Sequence, residues 1–154
     1  MKYFVYSDKY KCDIGTHVFP MEKYELIYQR LVKNKIVKKE DFALPKPALL
    51  EDLLLVHTKE FIDDLINVRM TQRMGMSEML LTKEIADAYI LMAGGTILSS
   101  KLALETKINL NIGGGFHHAF SDSAEGFCYI NDIAVAIKKL QKENQQKEKL
   151  LERK

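Results

Sequence analysis

Apolar residues recur at three- and four-residue intervals through Met21, Tyr24, Ile27, Tyr28, Leu31 and Val32, the spacing of one helical face. Residues 21–34 are therefore expected to form an amphipathic helix. Ahead of it, residues 2–6 bunch aromatic and β-branched side chains, which predicts a short strand opening into a loop that holds Gly15, His17 and Pro20. Pro45 and Pro47 fix their own φ and bias the residues before them away from the α region, so a turn or extended stretch is expected there. Residues 49–56 are apolar apart from Glu51 and Asp52. Thr58 can cap a helix that runs through Phe61, Ile62, Leu65 and Ile66, so two short helices should meet at His57-Thr58.

Residues 68–81 hold four of the seven Met without a clear period and read as an irregular loop. Thr82 offers an N-cap, and Glu84 and Asp87 sit where the helix dipole favours negative charge, so a long helix should run to about Glu105. That helix is apolar on most sides, and its Gly94-Gly95 pair implies tight packing on a sheet, since each Gly costs about 1 kcal/mol relative to Ala. Ile108, Leu110 and Ile112 alternate with Asn109 and Asn111 and run into Gly113-Gly114-Gly115, the pattern of a strand ending in a permissive loop. Strand, long helix, strand defines an α/β fold with a parallel sheet. In such sheets ligands bind beyond the carboxyl ends of the strands, which places chemistry after Ile112. A last helix begins near Asp132.

The 154 residues are 47% hydrophobic and 29% charged, a balance that fits one globular domain and excludes disordered and collagenous classes. The net charge of +2 lacks the basic excess of a nucleic-acid binder. No nucleic-acid partner is expected, and no membrane partner either, because the apolar uncharged stretch of residues 88–100 is too short to span a bilayer. The N-terminus lacks a signal-peptide apolar region, and two widely separated cysteines, Cys12 and Cys128, suggest a reducing compartment, so a cytoplasmic location is expected. Residues 143–154 form a charged tail, helical or frayed, behind a main domain over 1–142.

Two histidines and several glycines crowd into residues 113–132. An imidazole titrates near neutral pH, which suits His117 and His118 to moving protons during hydrolysis, and Phe127 beside Gly126 could wall a slender substrate. The plain alternative is a pair of loop histidines with satisfied hydrogen bonds. Gly113-Gly115 as a phosphate cradle is disfavoured because the glycine spacing and the following Lys of phosphate loops are absent. Cys128 as a nucleophile competes with its reading as a small buried apolar residue.

The run Gly-Gly-Gly-Phe-His-His-Ala (residues 113–119), continued by Gly-Phe-Cys-Tyr-Ile-Asn-Asp-Ile-Ala-Val-Ala-Ile (residues 126–137), resembles the histone deacetylase and acetylpolyamine amidohydrolase superfamily, in its bacterial, class-IV-like branch. Residues 16–24, Val56-His57-Thr58 and Ala93-Gly94-Gly95-Thr96 add support in the same order. The resemblance implies an arginase-like parallel-sheet fold and a zinc-dependent hydrolase that removes acetyl from an acetyl-lysine protein or a similar acetylated amine. It implies His118 as principal acid/base, His117 as its partner, Gly126 and Phe127 in the acyl-lysine channel, and His17 at the site rim.

In that superfamily an Asp-x-His metal-ligand pair follows on a later strand, and none of the four histidines here has Asp two positions before it. The domain is accordingly expected to be incomplete on its C-terminal side, truncated before the metal ligands. Zinc is expected for the complete domain but not on this chain alone, because a catalytic zinc needs about three protein ligands. Weak or absent activity follows, together with self-association through an exposed core face. The alternative reading is a non-catalytic fold fragment or interaction module.

Overall fold

The computed structural model describes residues 1–151. The chain folds in the order β1 (Phe4–Val5), α1 (Lys23–Lys33), β2 (Phe42–Ala43), α2 (Leu50–Leu53), α3 (Lys59–Ile66), α4 (Gln72–Gly75), α5 (Lys83–Thr106), β3 (Leu110–Asn111) and α6 (Asp132–Leu151). The three strands form one parallel sheet in the order β2, β1, β3, with Phe4 opposite both Phe42 and Leu110. Helical crossovers join them, as parallel pairing requires. The α/β expectation therefore stands.

The caps expected at Thr58 and Thr82 form: their hydroxyls accept from the Phe61 and Ile85 backbone N–H groups at 3.4 and 3.2 Å. Each cap contributes about 1 kcal/mol. Helix α5 is the core element. Ile85, Ala86, Tyr89, Met92 and Ala93 on it are essentially inaccessible, so its lack of a polar face reflects burial on several sides. It ends where Lys107 turns left-handed at φ 69°. Aromatic packing seals the other end of the sheet, with Tyr6 stacked on Tyr28 at 4.4 Å and edge-on to Tyr10 at 6.0 Å.

The structure departs from the sequence reading in three places. Strand β2 is unexpected: only Phe42 and Ala43 pair, too few to show an alternation. One helical turn, α4, stands inside the Met-rich segment read as irregular. The Gly94-Gly95 pair does not serve sheet packing alone. A Cβ on Gly94 would sit 1.9 Å from the Lys46 carbonyl oxygen, so Gly94 admits the extended Pro-rich segment, whereas Gly95 meets the Tyr10 hydroxyl and Asn111 of β3.

The alternation in β3 left its covered face open, and the structure settles it. Its asparagines face inward, where Asn111 donates to the Met92 carbonyl and the Thr96 hydroxyl at 3.2 and 3.1 Å and accepts from Tyr10 at 2.8 Å. Asn109 bridges the Lys2 carbonyl and Ser99. The apolar alternates Ile108 and Leu110 are exposed instead, by 73% and 51%.

Helix α6 runs unbroken past residue 142, and Lys139 on it pairs with buried Asp52 at 2.7 Å while Glu143 pairs with Lys101 at 2.6 Å. These pairs tie α6 to α2 and α5, so this part of the basic stretch is not a solvated face. Residues 152–154 of the expected charged tail lie outside the described residues.

Candidate functional site

Beyond β3 the chain enters residues 113–120, and a single carboxylate sets their path. Asp132, the first residue of α6, is fully buried and accepts from the Gly115 and Phe116 backbone N–H groups at 3.0 and 2.7 Å and from the Thr96 hydroxyl of α5. Bonds to an ionised acceptor are about twice as strong as neutral ones, and a carboxylate at a helix N-terminus also gains from the dipole. Gly114, at φ 96°, has no room for a side chain, since a Cβ would lie 2.4 Å from the Asp132 carboxylate. This geometry rules against a phosphate cradle. The N–H groups that would hold an anion already bind one, Asp132.

Asn131 fastens the same loop from the other side. Its side-chain amide donates to the His117 and Ala119 carbonyls at 3.3 and 3.2 Å, while its Oδ1 caps α6 by accepting from Ala134 N–H at 3.0 Å. Sequence reasoning quoted Asn131 and Asp132 without giving them a role. The available signal was two N-cap residue types directly before an apolar helical run.

Held this way, His117 and His118 are exposed, with ring centroids 4.1 Å apart. Nδ1 of His117 lies 3.0 Å from the Gly115 carbonyl oxygen. A carbonyl can only accept, so Nδ1 carries a proton, which leaves Nε2 as the acceptor of the neutral ring. His118 packs over Gly126, where an added Cβ would approach the ring to 3.0 Å and where φ is 51°. Phe127 is left-handed too, at φ 66°, a conformation a non-glycine residue holds only when its neighbours impose it. Here the Phe127 N–H donates to the Ser77 carbonyl at 3.0 Å, and the Tyr89 hydroxyl donates to the Phe127 carbonyl. The Met-rich segment thus supplies a strut that its sequence did not reveal.

His17 meets Phe127 edge-on at 4.7 Å, and its Nδ1 accepts from the Phe19 N–H at 3.1 Å. The five residues singled out from sequence therefore form one chain of contacts: His117 to His118, His118 to Gly126, Phe127 to His17. A cleft of about 560 Å³ lined by residues 11–15 and 17–22 opens beside them and shares only His17 with the group. Cys128 is buried, and burial pushes its thiol pKa up, the opposite of what a nucleophile needs. Among the described residues no group of three or more His, Cys, Asp or Glu side chains could hold a metal ion.

A parallel sheet with a histidine pair beside Gly126 and Phe127 beyond the carboxyl end of β3 defines an α/β protein with a candidate site at that edge. The model of the histone deacetylase domain matches residues 17–151, and the chain belongs to the histone deacetylase family. Among curated relatives it is 31% identical over 152 residues to the acetoin utilization protein AcuC of Bacillus subtilis, covering 90% of this chain and 39% of that protein. It is 29% identical over 144 residues to histone deacetylase 2 of Arabidopsis thaliana, covering 86% of this chain and 37% of the relative. A solved structure of an HDAC homolog from Aquifex aeolicus superposes with a TM-score of 0.74 at 25% identity, covering 93% of this chain and 42% of that one. The chain thus spans about two fifths of the length of these relatives. The relatives suggest a metal cofactor, and the residues described here do not by themselves provide its ligand set.

Proposed function

We propose that residues 113–132, with His17, form the proton-handling and acyl-channel part of a zinc-dependent deacylase acting on acetyl-lysine proteins or similar acetylated amines. The observation that supports it most is the exposed His117–His118 pair, fixed at the end of β3 beside Gly126 and Phe127, in a chain of the histone deacetylase family. Amide hydrolysis needs a base for water and an acid for the departing amine. Two adjacent imidazoles, each able to accept and to donate a proton, suit both tasks, with His118 as the principal acid/base and His117 as its partner. Gly126 admits the His118 ring at close range, and Phe127 with His17 offers walls to an acyl-lysine stem. Because the described residues lack a three-ligand set, zinc would take most of its ligands from outside residues 1–151. Buried, unpaired Cys12 and Cys128 suit a reducing cytoplasm.

The test is an NMR titration of the 154-residue chain with an acetyl-lysine peptide and its unacetylated twin. Shifts at His17, His118, Gly126 and Phe127 caused by the acetylated peptide alone are expected. No shift, or equal shifts from both peptides, would overturn the reading.

A second reading, an interaction module that self-associates, is favoured by the inverted polarity of β3. This strand is at the sheet edge, with Ile108 and Leu110 exposed, and Ile133 and Ile137 of α6 are exposed by 41% and 51%. Parallel sheets are ordinarily covered, and exposed apolar groups of this kind promote association. Sedimentation of the wild-type chain and of Leu110→Lys with Ile137→Glu tests it. A wild-type dimer made monomeric by the pair of substitutions supports it, and a wild-type monomer excludes it.

A further inference from the structure

The hydrogen bonds that fix the His117–His118 loop do not end at Asn131. His57, 74 residues earlier at the junction of α2 and α3, is only 3% exposed, and its Nε2 accepts the Asn131 backbone N–H at 3.1 Å. Its own backbone is tied down at 2.9 Å to the Leu53 carbonyl, its ring lies 5.4 Å from that of Phe61, and the next residue, Thr58, donates from its backbone to the Ser121 carbonyl at 2.8 Å. The α2–α3 corner therefore grips residues 117–131 at two points.

We propose that His57 is a positioning residue for the histidine pair: by accepting from Asn131 it sets the side-chain amide that holds the His117 and Ala119 carbonyls. Its importance for catalysis rests on the deacylase reading above, while its mechanical role does not. The role requires one tautomer. An Nε2 that accepts must be unprotonated, so the neutral ring carries its proton on Nδ1. Nδ1 makes no hydrogen bond of standard geometry, although the Phe120 and Ser121 carbonyls lie close enough to act on it. An ordinary core histidine would pack equally well in either tautomer. Burial lowers the His57 pKa, with those two carbonyls as partial counterweights, which keeps the acceptor intact at neutral pH.

The experiment compares wild type with His57→Leu, which keeps the volume and removes the acceptor, and with His57→Gln, whose amide oxygen can reach the Nε2 position. Amide hydrogen exchange of the full chain is read at Asn131, Gly115 and Phe116, with the middle of α5 as internal reference. Ring nitrogen spectra report His117 and His118. His57→Leu should lose about tenfold or more of the protection at Asn131, the consequence of leaving a buried N–H unpaired, and should shift the His117 ring signals, with α5 protection preserved. His57→Gln should restore most of both. Unchanged Asn131 protection, loss spread equally into α5, or no rescue by Gln would overturn the proposal. Should the Leu variant not fold, the wild-type spectrum decides alone: a His57 ring protonated on Nε2 at neutral pH contradicts the proposal, and one protonated on Nδ1 supports it. None of these readouts requires deacylase activity, so failure here is separate from failure of the functional reading.

Discussion

Two loops border the candidate site and are held in opposite ways. The loop of His117 and His118 is fastened by partners distant in sequence: Asp132 and Thr96 on one side, Asn131 with His57 behind it on the other. The loop of His17 is held largely by its own residues, with Gly15 N–H on the Asp13 carboxylate at 2.8 Å, Phe19 N–H on the His17 ring, and Lys23 3.8 Å above the Phe19 ring. Its distant contacts are fewer: the Asp13 N–H lies 3.4 Å from Glu84, and the His17 and Phe19 rings meet that of Phe127 at 4.7 and 6.1 Å. Groups that exchange protons gain from being held in place before substrate arrives, whereas a rim that meets variable substrates gains from give. On the proposed deacylase reading, the contrast separates a preorganised centre from an adjustable edge.

Removing the anchor of the fixed loop should have the largest effect. Asp132→Ala leaves two backbone N–H groups and a hydroxyl without their ionised acceptor, and urea unfolding should show a loss of about 3–5 kcal/mol. A loss below about 1 kcal/mol would mean that the clamp contributes little. Next comes Gly126→Ala, which adds a Cβ 3.0 Å from the His118 ring at a positive φ. It should cost about 1–3 kcal/mol and displace the His118 ring signals, and an unshifted ring would show that the wall and the histidine are not coupled.

A smaller effect follows from pH. The folded protein holds His57 neutral below its ordinary pKa, whereas the unfolded chain takes up a proton near pH 6.5, so the unfolded state binds more protons as pH falls through that value. This part of the stability is whole above about pH 6.5 and is lost progressively below it. His57→Gln should flatten that acid limb. An unchanged slope in the variant would assign the limb to other groups. At the rim, His17→Ala should leave stability within about 0.5 kcal/mol of wild type, and a larger loss would erase the contrast between the loops.

Helix periodicity and caps were legible in the sequence because they are local: Thr58 and Thr82 cap where their position before apolar runs says they should. The order strand, long helix, strand likewise led to a parallel sheet. Strand β2 was not legible, because two paired residues between charged and proline-rich flanks carry no alternation. Which face of β3 lies inside was not legible, because alternation marks two faces without saying which is covered. Asn109 and Asn111 are half-buried at little cost only because α5, Lys2 and Tyr10 supply hydrogen-bond partners, a fact that appears only in three dimensions. The histidine pair stood out by residue type, but its supports at Asp132, Asn131 and His57 did not, since their roles depend on contacts spanning 14 to 74 residues.

The measurement that bears most directly on the contrast is residue-resolved amide hydrogen exchange of the wild-type chain at neutral pH. The Gly115 and Phe116 amides, donating to a buried carboxylate, should exchange at least about 100-fold more slowly than those of Thr16, His17 and Val18. Equal exchange in the two loops would contradict a preorganised histidine pair.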